Sequence, residues 1–262
     1  LSHRPRKRFG QNFLHDPAVI GRIITAIGPA GGQQLVEIGP GQGAITVPLL
    51  QQAGRLAVVE FDHDLVEPLQ ERCADLGELT VYNADALRFD FCKLAGDGPL
   101  RIVGNLPYNI STPLLFHLLD QHHCIRDMHF MLQKEVVERM AASPGSGQYG
   151  RLTVMLQYRC VVTHLFNIGP GAFSPPPKVE SAFVRLVPYA KPPVQVKDDI
   201  VFEQLVRQAF SQRRKTLRNA LRGMLEAEAI SNLGIDPMAR AETLTVSDFA
   251  ALANCVHPPG NE

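Results

Sequence analysis

The 262-residue chain is 45% hydrophobic, enough to bury a full core, and it carries 26 basic residues against 26 acidic ones. Length bounds it to one large domain or two modest ones, and the charge balance excludes a uniformly basic nucleic-acid coat while leaving local patches open. Its five cysteines are widely spaced and form no C-x-x-C pair, which argues against a zinc ribbon or a disulfide framework and fits a reducing cytoplasm.

No apolar run approaches a membrane span, and the first residues are basic and polar rather than a signal peptide. His122-His123-Cys124, with His129 nearby in sequence, is the densest cluster of potential metal ligands. Adjacent residues rarely ligate one ion together, so this stretch reads as a surface loop and no metal site is expected.

In chain order, a basic cluster of Arg4, Arg6, Lys7 and Arg8 comes first. Short apolar strands are expected at 35–38, 56–60, 79–82, 101–103, 128–132, 152–156 and 183–187, with helices at 64–74, 112–122 and 134–142 between them. This alternation predicts a mostly parallel sheet covered on both faces. Dense prolines at 188–193 place a linker near 188–199.

Beyond the linker, Phe202, Leu205, Val206, Ala209 and Phe210 recur with helical period, and Leu217, Ala220, Leu221, Met224 and Leu225 continue it. Asp236-Pro237 reads as an N-cap with the first helical position, and Ser247 as the cap of a last helix. The expected organisation is a sheet domain over 1–187 and an all-helical domain over 200–262.

"VEIGPGQGAIT" follows the first expected strand, with Gly39, Gly41 and Gly43 spaced G-x-G-x-G and a helix beginning near Ala44. Glycines at a strand-to-helix turn let backbone amides approach a ligand. Glu60 ends the second strand, where a carboxylate grips ribose hydroxyls, and Asp85 follows the third. A dinucleotide calls for G-x-G-x-x-G and a helix N-terminus at its pyrophosphate. S-adenosylmethionine carries an adenosine without phosphate and fits this spacing better.

The fourth strand runs into "GNLPYNIS", with no acid, base or thiol beside Asn105, Leu106, Pro107 and Tyr108. Methyl transfer to the exocyclic amine of adenine accounts for this. Its nitrogen lone pair is delocalised into the ring, so the reaction calls for acceptors that hold the amine hydrogens and favour a localised lone pair. The Asn105 side-chain carbonyl and the Leu106 backbone carbonyl suit that role, Pro107 stiffens the turn, and Tyr108 stacks on the base. Placed dipoles and in-line geometry then do the work of charged catalysts.

These stretches, together with "KRFGQNFL" (7–14), "VEFD" (59–62), "QKEVVERM" (133–140), "YGRLTV" (149–154), "FSPPPKVESAFVRL" (173–186) and "FSQRRKTLRNAL" (210–221), run along nearly the whole chain. By them the chain resembles the ribosomal RNA adenine N6-dimethyltransferases, and within that family the bacterial small-subunit group. The resemblance implies an α/β fold with a Rossmann-like class I methyltransferase sheet and a small C-terminal helical domain. It also implies S-adenosylmethionine contacts from Asn12, Leu14, Gly39, Gly41, Glu60, Asp85 and Asn105, and a second aromatic platform at Phe173 opposite Tyr108. The substrate it implies is 16S rRNA within the small (30S) subunit or its precursor, bound by a cytoplasmic protein expected to be a monomer. The macrolide-resistance type acting on large-subunit RNA runs second, and a non-enzymatic assembly checkpoint runs third.

A second basic cluster, Arg207, Arg213, Arg214, Lys215, Arg218 and Arg222, has no acid between Glu203 and Glu226. The four-residue recurrence of Arg214, Arg218 and Arg222 predicts a stripe along a helix suited to RNA phosphates. A flipped adenine leaving its stack would be compensated by two aromatic faces at about 1–3 kcal/mol per base.

Overall fold

A computed structural model describes residues 12–96, 98–212 and 214–256. In chain order the elements are β1 (Phe13–Leu14), α1 (Pro17–Ile27), β2 (Gln34–Ile38), α2 (Thr46–Ala53), β3 (Arg55–Glu60), α3 (Val66–Cys73), β4 (Glu78–Asn83), β5 (Leu100–Asn105), α4 (Ser111–Asp120) and β6 (Ile125–Gln133). They continue with α5 (Lys134–Met140), α6 (Arg151–Arg159), β7 (Cys160–Ile168), β8 (Phe173–Ser174), β9 (Ser181–Pro188), α7 (Asp199–Ala209), α8 (Leu217–Ala220), α9 (Ala227–Asn232) and α10 (Val246–Cys255).

Seven strands form one sheet in the order β4-β3-β2-β5-β6-β9-β7. The first five are parallel, and β9 runs antiparallel to β6 with Met131 opposite Phe183. The apolar runs are long because a parallel sheet is buried on both faces. In β5, Leu100, Ile102 and Val103 are wholly buried. Helix α1 is started by Asp16, whose carboxylate accepts from the Ala18 and Val19 amides ahead of Pro17, and is ended by Gly28 in the left-handed conformation. Its Ile23, Ile24 and Ile27 join Leu35, Leu49, Leu50 and Val58 in the core of this layer.

The chain divides into two compact units, Leu1–Val137 with Thr163–Pro188, and Glu138–Val162 with Tyr189–Glu262. One division falls between Pro188 and Tyr189, at the start of the proline-dense stretch. The segment 138–162, expected in the sheet domain, groups instead with the helices. There Tyr158 packs against Phe202 with ring centroids 4.4 Å apart, and its hydroxyl donates to Asp199 Oδ1 at 2.8 Å.

Three local expectations are corrected. The run 152–156 is part of α6 rather than a strand; a short apolar run buried on every side has the same pattern in either state, and Leu152 through Leu156 are all buried here. The strand of this region is β7, whose mixed apolar and polar residues hid it. Asp236-Pro237 opens a turn, with Asp236 Oδ1 accepting from the Met238 amide, and the last helix is capped by Thr245 in a reciprocal box with Asp248, not by Ser247.

The cysteines also depart from expectation, since Cys92 and Cys124 are joined by a disulfide across 32 residues. His129 does not share the His122–Cys124 turn: it is buried on β6 and stacked against Phe183.

Candidate active site

Strand order reverses at β2, whose neighbours β3 and β5 lead to opposite edges of the sheet. Connections diverge at such a point and leave a crevice beyond the carboxyl ends of the strands. A cavity of about 330 Å³ lies here. Its walls come from the loop after β2, the end of β3, the loop after β4, the turn after β5 and the segment around β1.

Two glycines show why the sequence permits this. Gly41 has φ of +56° and lies against the Phe13 ring, which a Cβ would meet at 3.3 Å. Gly104 sits where β5 passes β2, and a Cβ there would fall 2.5 Å from the Ile38 carbonyl oxygen.

The expected cofactor residues Asn12, Leu14, Gly39, Gly41, Glu60, Asp85 and Asn105 all line the cavity, as do Leu106, Pro107 and Tyr108. Glu60 is 6% exposed, and its two carboxylate oxygens accept from the Gly41 amide (3.2 Å) and the Asp62 amide (2.7 Å). Burial pushes its pKa up, with these amides pulling the other way. Asp85 Oδ1 accepts from the Leu87 amide at 2.9 Å, which fixes the loop after β4.

The N-terminal segment reaches the cavity by strand pairing. Leu14 is paired with Phe173, and the His15 amide donates to the Ala172 carbonyl at 2.9 Å. Asn105 Nδ2 donates to the Asn12 carbonyl at 3.1 Å. That bond commits the amide nitrogen and leaves the side-chain carbonyl as the acceptor. After it the Leu106 amide donates to the Met131 carbonyl, and the Ile110 amide closes the turn on the Pro107 carbonyl. Tyr108 is half-buried, and its hydroxyl lies 2.7 Å from the Ser181 Oγ at the start of β9. Burial raises the Tyr108 pKa, with the Ser181 hydrogen bond opposing it.

Phe173, which the resemblance offers as a second aromatic platform, sits apart from these lining residues. It is 2% exposed, takes part in the apolar core and does not line the cavity. Its backbone is held by pairing with Leu14, and its ring belongs to the packing that carries β1. The helical placement of the arginine stripe is corrected. Helix α8 ends at Ala220, so Arg214 and Arg222 lie off it in turns. Arg207, Arg214, Lys215, Arg218 and Arg222 are nevertheless all exposed. Arg4, Arg6, Lys7, Arg8 and Arg213 lie outside the described residues.

Two site residues were missed in the sequence. Glu37, in the apolar strand β2, lines the cavity with no exposed surface, and neither carboxylate oxygen has a partner in regular hydrogen-bond geometry. Burial pushes its pKa up to about 8; Thr46 opposes this in part and the nearby Glu60 adds to it. An acid within an apolar strand was the available signal. Ser181 gave none, since its partnership with Tyr108 spans 73 residues of sequence.

Taken together, Glu37, Glu60, Asp62 and Asp85 place four carboxyl groups on a cavity whose described lining has no lysine, arginine or histidine. Such a site disfavours a phosphate-bearing cofactor and favours one that is neutral or cationic.

Comparison with known proteins agrees with this geometry. The sequence model of the family described as Ribosomal RNA adenine dimethylase matches residues 2–257. A Pseudomonas putida protein named Ribosomal RNA small subunit methyltransferase A is 58% identical over 254 residues, covering 96% of this chain and 95% of the relative. A Pseudomonas aeruginosa protein of the same name is 56% identical over 261 residues, covering 99% and 97%. Among solved structures, a dimethyladenosine transferase from Plasmodium falciparum superposes with a TM-score of 0.79 at 27% identity, covering 92% of this chain and 95% of the other. The 23S rRNA methyltransferase ErmE superposes with a TM-score of 0.72 at 26% identity, covering 92% and 98%.

Proposed function

Because the chain belongs to the ribosomal RNA adenine dimethylase family, we propose that it dimethylates N6 of two adjacent adenosines near the 3′ end of 16S rRNA, using S-adenosylmethionine. The observation that carries the reading is the Asn105–Tyr108 turn at the end of β5, facing a carboxyl-lined cavity free of described basic side chains. The small-subunit name shared by relatives above 55% identity favours 16S over 23S rRNA.

The cavity suits the cofactor chemically. S-adenosylmethionine brings a methyl group on a cationic sulfonium and an adenosine without phosphate. Glu60 holds the ribose hydroxyls with its remaining lone pairs, Asp85 faces the base edge, and Asn12 and Leu14 cover the site. Asn105 Oδ1 and the Leu106 carbonyl accept the two amine hydrogens of the target adenine, which localises the nitrogen lone pair toward the methyl group. The Tyr108 ring holds the flipped base by stacking.

The exposed basic residues of the helical unit contact rRNA phosphates, and the protein acts as a monomer in the cytoplasm on the small (30S) subunit or its precursor. Binding the precursor gives it a part in subunit biogenesis.

The test is incubation of purified protein with labelled S-adenosylmethionine and either undermethylated small or undermethylated large subunits. Two adjacent dimethyladenosines in small subunits, with large subunits unlabelled, is the expected result. Label in large subunits alone overturns the assignment.

A further inference from the structure

Away from the active-site cavity, three reactive side chains meet at one place on the sheet unit. Cys92 follows Phe91 in a short turn after β4, and His123 and Cys124 lie in the turn between α4 and β6. One side chain holds the two turns together. Gln121 Oε1 accepts from the Phe91 amide at 2.7 Å and the Cys92 amide at 3.3 Å, while the Gln121 carbonyl accepts from the Cys124 amide at 3.2 Å. Gln121 Nε2 adds a bond to the Phe89 carbonyl. The Cα atoms of Cys92 and Cys124 are thereby 5.5 Å apart, within bridging range, and the two are bonded. His123 Nε2 is 3.4 Å from Cys92 Sγ; His123 is exposed and Cys92 partly so.

We propose that Cys92, Cys124 and His123 form a two-electron thiol oxidation site that reacts with hydroperoxides. In the reduced protein His123 takes the Cys92 proton, and the thiolate attacks the outer oxygen of the hydroperoxide. An S–O bond forms as the O–O bond breaks, leaving Cys92 as a sulfenic acid and releasing an alcohol, or water from hydrogen peroxide. The Cys124 thiol then displaces the sulfenic hydroxyl, forming the S–S bond and releasing water. The two thiols are oxidised and the peroxide is reduced, with one disulfide formed per peroxide consumed.

Of the other three described thiols, Cys255 near the end of α10 is partly exposed and two are buried. Cys73 and Cys160 are buried, and burial raises both pKa values, that of Cys160 to about 12. Thiols in that environment are inert. The Gln121 scaffold is what sets Cys92 and Cys124 apart. In the oxidised form the bond ties the turn after β4 to the carboxyl end of α4, the helix that begins just after the Asn105–Tyr108 turn.

The experiment is oxidation of the fully reduced full-length protein by hydrogen peroxide at pH 7, followed by alkylation and intact and peptide mass analysis. Cys92 and Cys124 should escape alkylation together, as a linked peptide pair about 2 Da below the sum of the two reduced, unalkylated peptides, while Cys73 and Cys160 are alkylated once the protein is denatured. His123→Ala should slow the reaction by roughly 3–10-fold. Cys124→Ser should leave a sulfenic acid on Cys92 that a dimedone-type reagent captures, and Cys92→Ser should leave Cys124 unlabelled. Buried Cys73 or Cys160 reacting before the pair, a His123→Ala rate equal to wild type, or sulfenate capture on Cys124 rather than Cys92 overturns the proposal.

Discussion

The Tyr108 hydroxyl and the Ser181 Oγ lie 2.7 Å apart, joining the turn after β5 to the first residue of β9. Ser181 is fully buried and paired with Gln133 across the antiparallel ladder, so it is a fixed point against which the Tyr108 ring is aimed. On the proposed reading, the bond orients the ring that would stack on the target base.

Ser181→Ala should therefore slow single-turnover methylation of undermethylated small subunits by about 2–10-fold, the factor matching a neutral hydrogen bond. Tyr108→Phe should lose a similar factor, since stacking depends on the ring. The double variant should be no slower than either single one, because both remove the same bond. Losses that multiply would show that the two residues act independently.

The parallel strands and the cavity loops were legible because each is written locally: apolar runs of strand length, then glycines or an acid at the strand end. Glu60 and Asp85 follow from that pattern, and Asn105 from the uncharged Asn-Leu-Pro-Tyr stretch that ends β5. What stayed hidden depends on partners far apart in sequence. Phe173, within its motif, gave no sign that it pairs with Leu14 of the distant β1 and packs in the core cluster. The Cys92–Cys124 bond depends on Gln121 bringing two turns together. The arginine stripe failed for a local reason: Gly223 at φ +87° belongs to turns that follow α8, so the helical period does not persist.

Asn105 is held at its amide nitrogen by the Asn12 carbonyl. Asn105→Ala should lose on the order of 10²–10³-fold in the single-turnover chemical step, as removal of one preorganised polar group does. Subunit binding should persist. Cofactor affinity should fall modestly, because the variant also releases the N-terminal segment. Near wild-type single-turnover rates would remove Asn105 from the reacting centre.

The exposed Arg218 and Arg222 make no ion pair among the described residues, which leaves them available to phosphates. Combined Arg218→Ala and Arg222→Ala substitution should weaken subunit binding. It should also flatten the slope of log K against log salt by about 0.7–0.9 for each phosphate that is no longer neutralised. Calorimetric binding of S-adenosylmethionine should be unchanged. A salt slope identical to wild type would make these arginines a solvated surface.

Glu37 links the cavity to stability. Its pKa in the folded protein is about 8, against an ordinary value of 4.5, and desolvation is the main cause. Between those values the folded state keeps a proton that the unfolded chain has released. Stability contributed by this group is therefore highest below about pH 4.5, falls as pH rises through the window, and levels off above pH 8. The whole loss is at most about 5 kcal/mol. Glu37→Gln keeps the size and neutrality of the acid form and abolishes its ionisation, so it removes this dependence. Thermal unfolding at pH 5.5 and 8.5 reads the effect directly. Wild type should lose roughly 5–10 °C more in Tm across that interval than Glu37→Gln, since each kcal/mol shifts Tm by a few degrees in a chain of this size. Titrating groups that do not interact with Glu37 are common to both proteins and cancel in the comparison. Parallel pH profiles would mean that Glu37 is ionised in the folded protein and that its charge is compensated within the site.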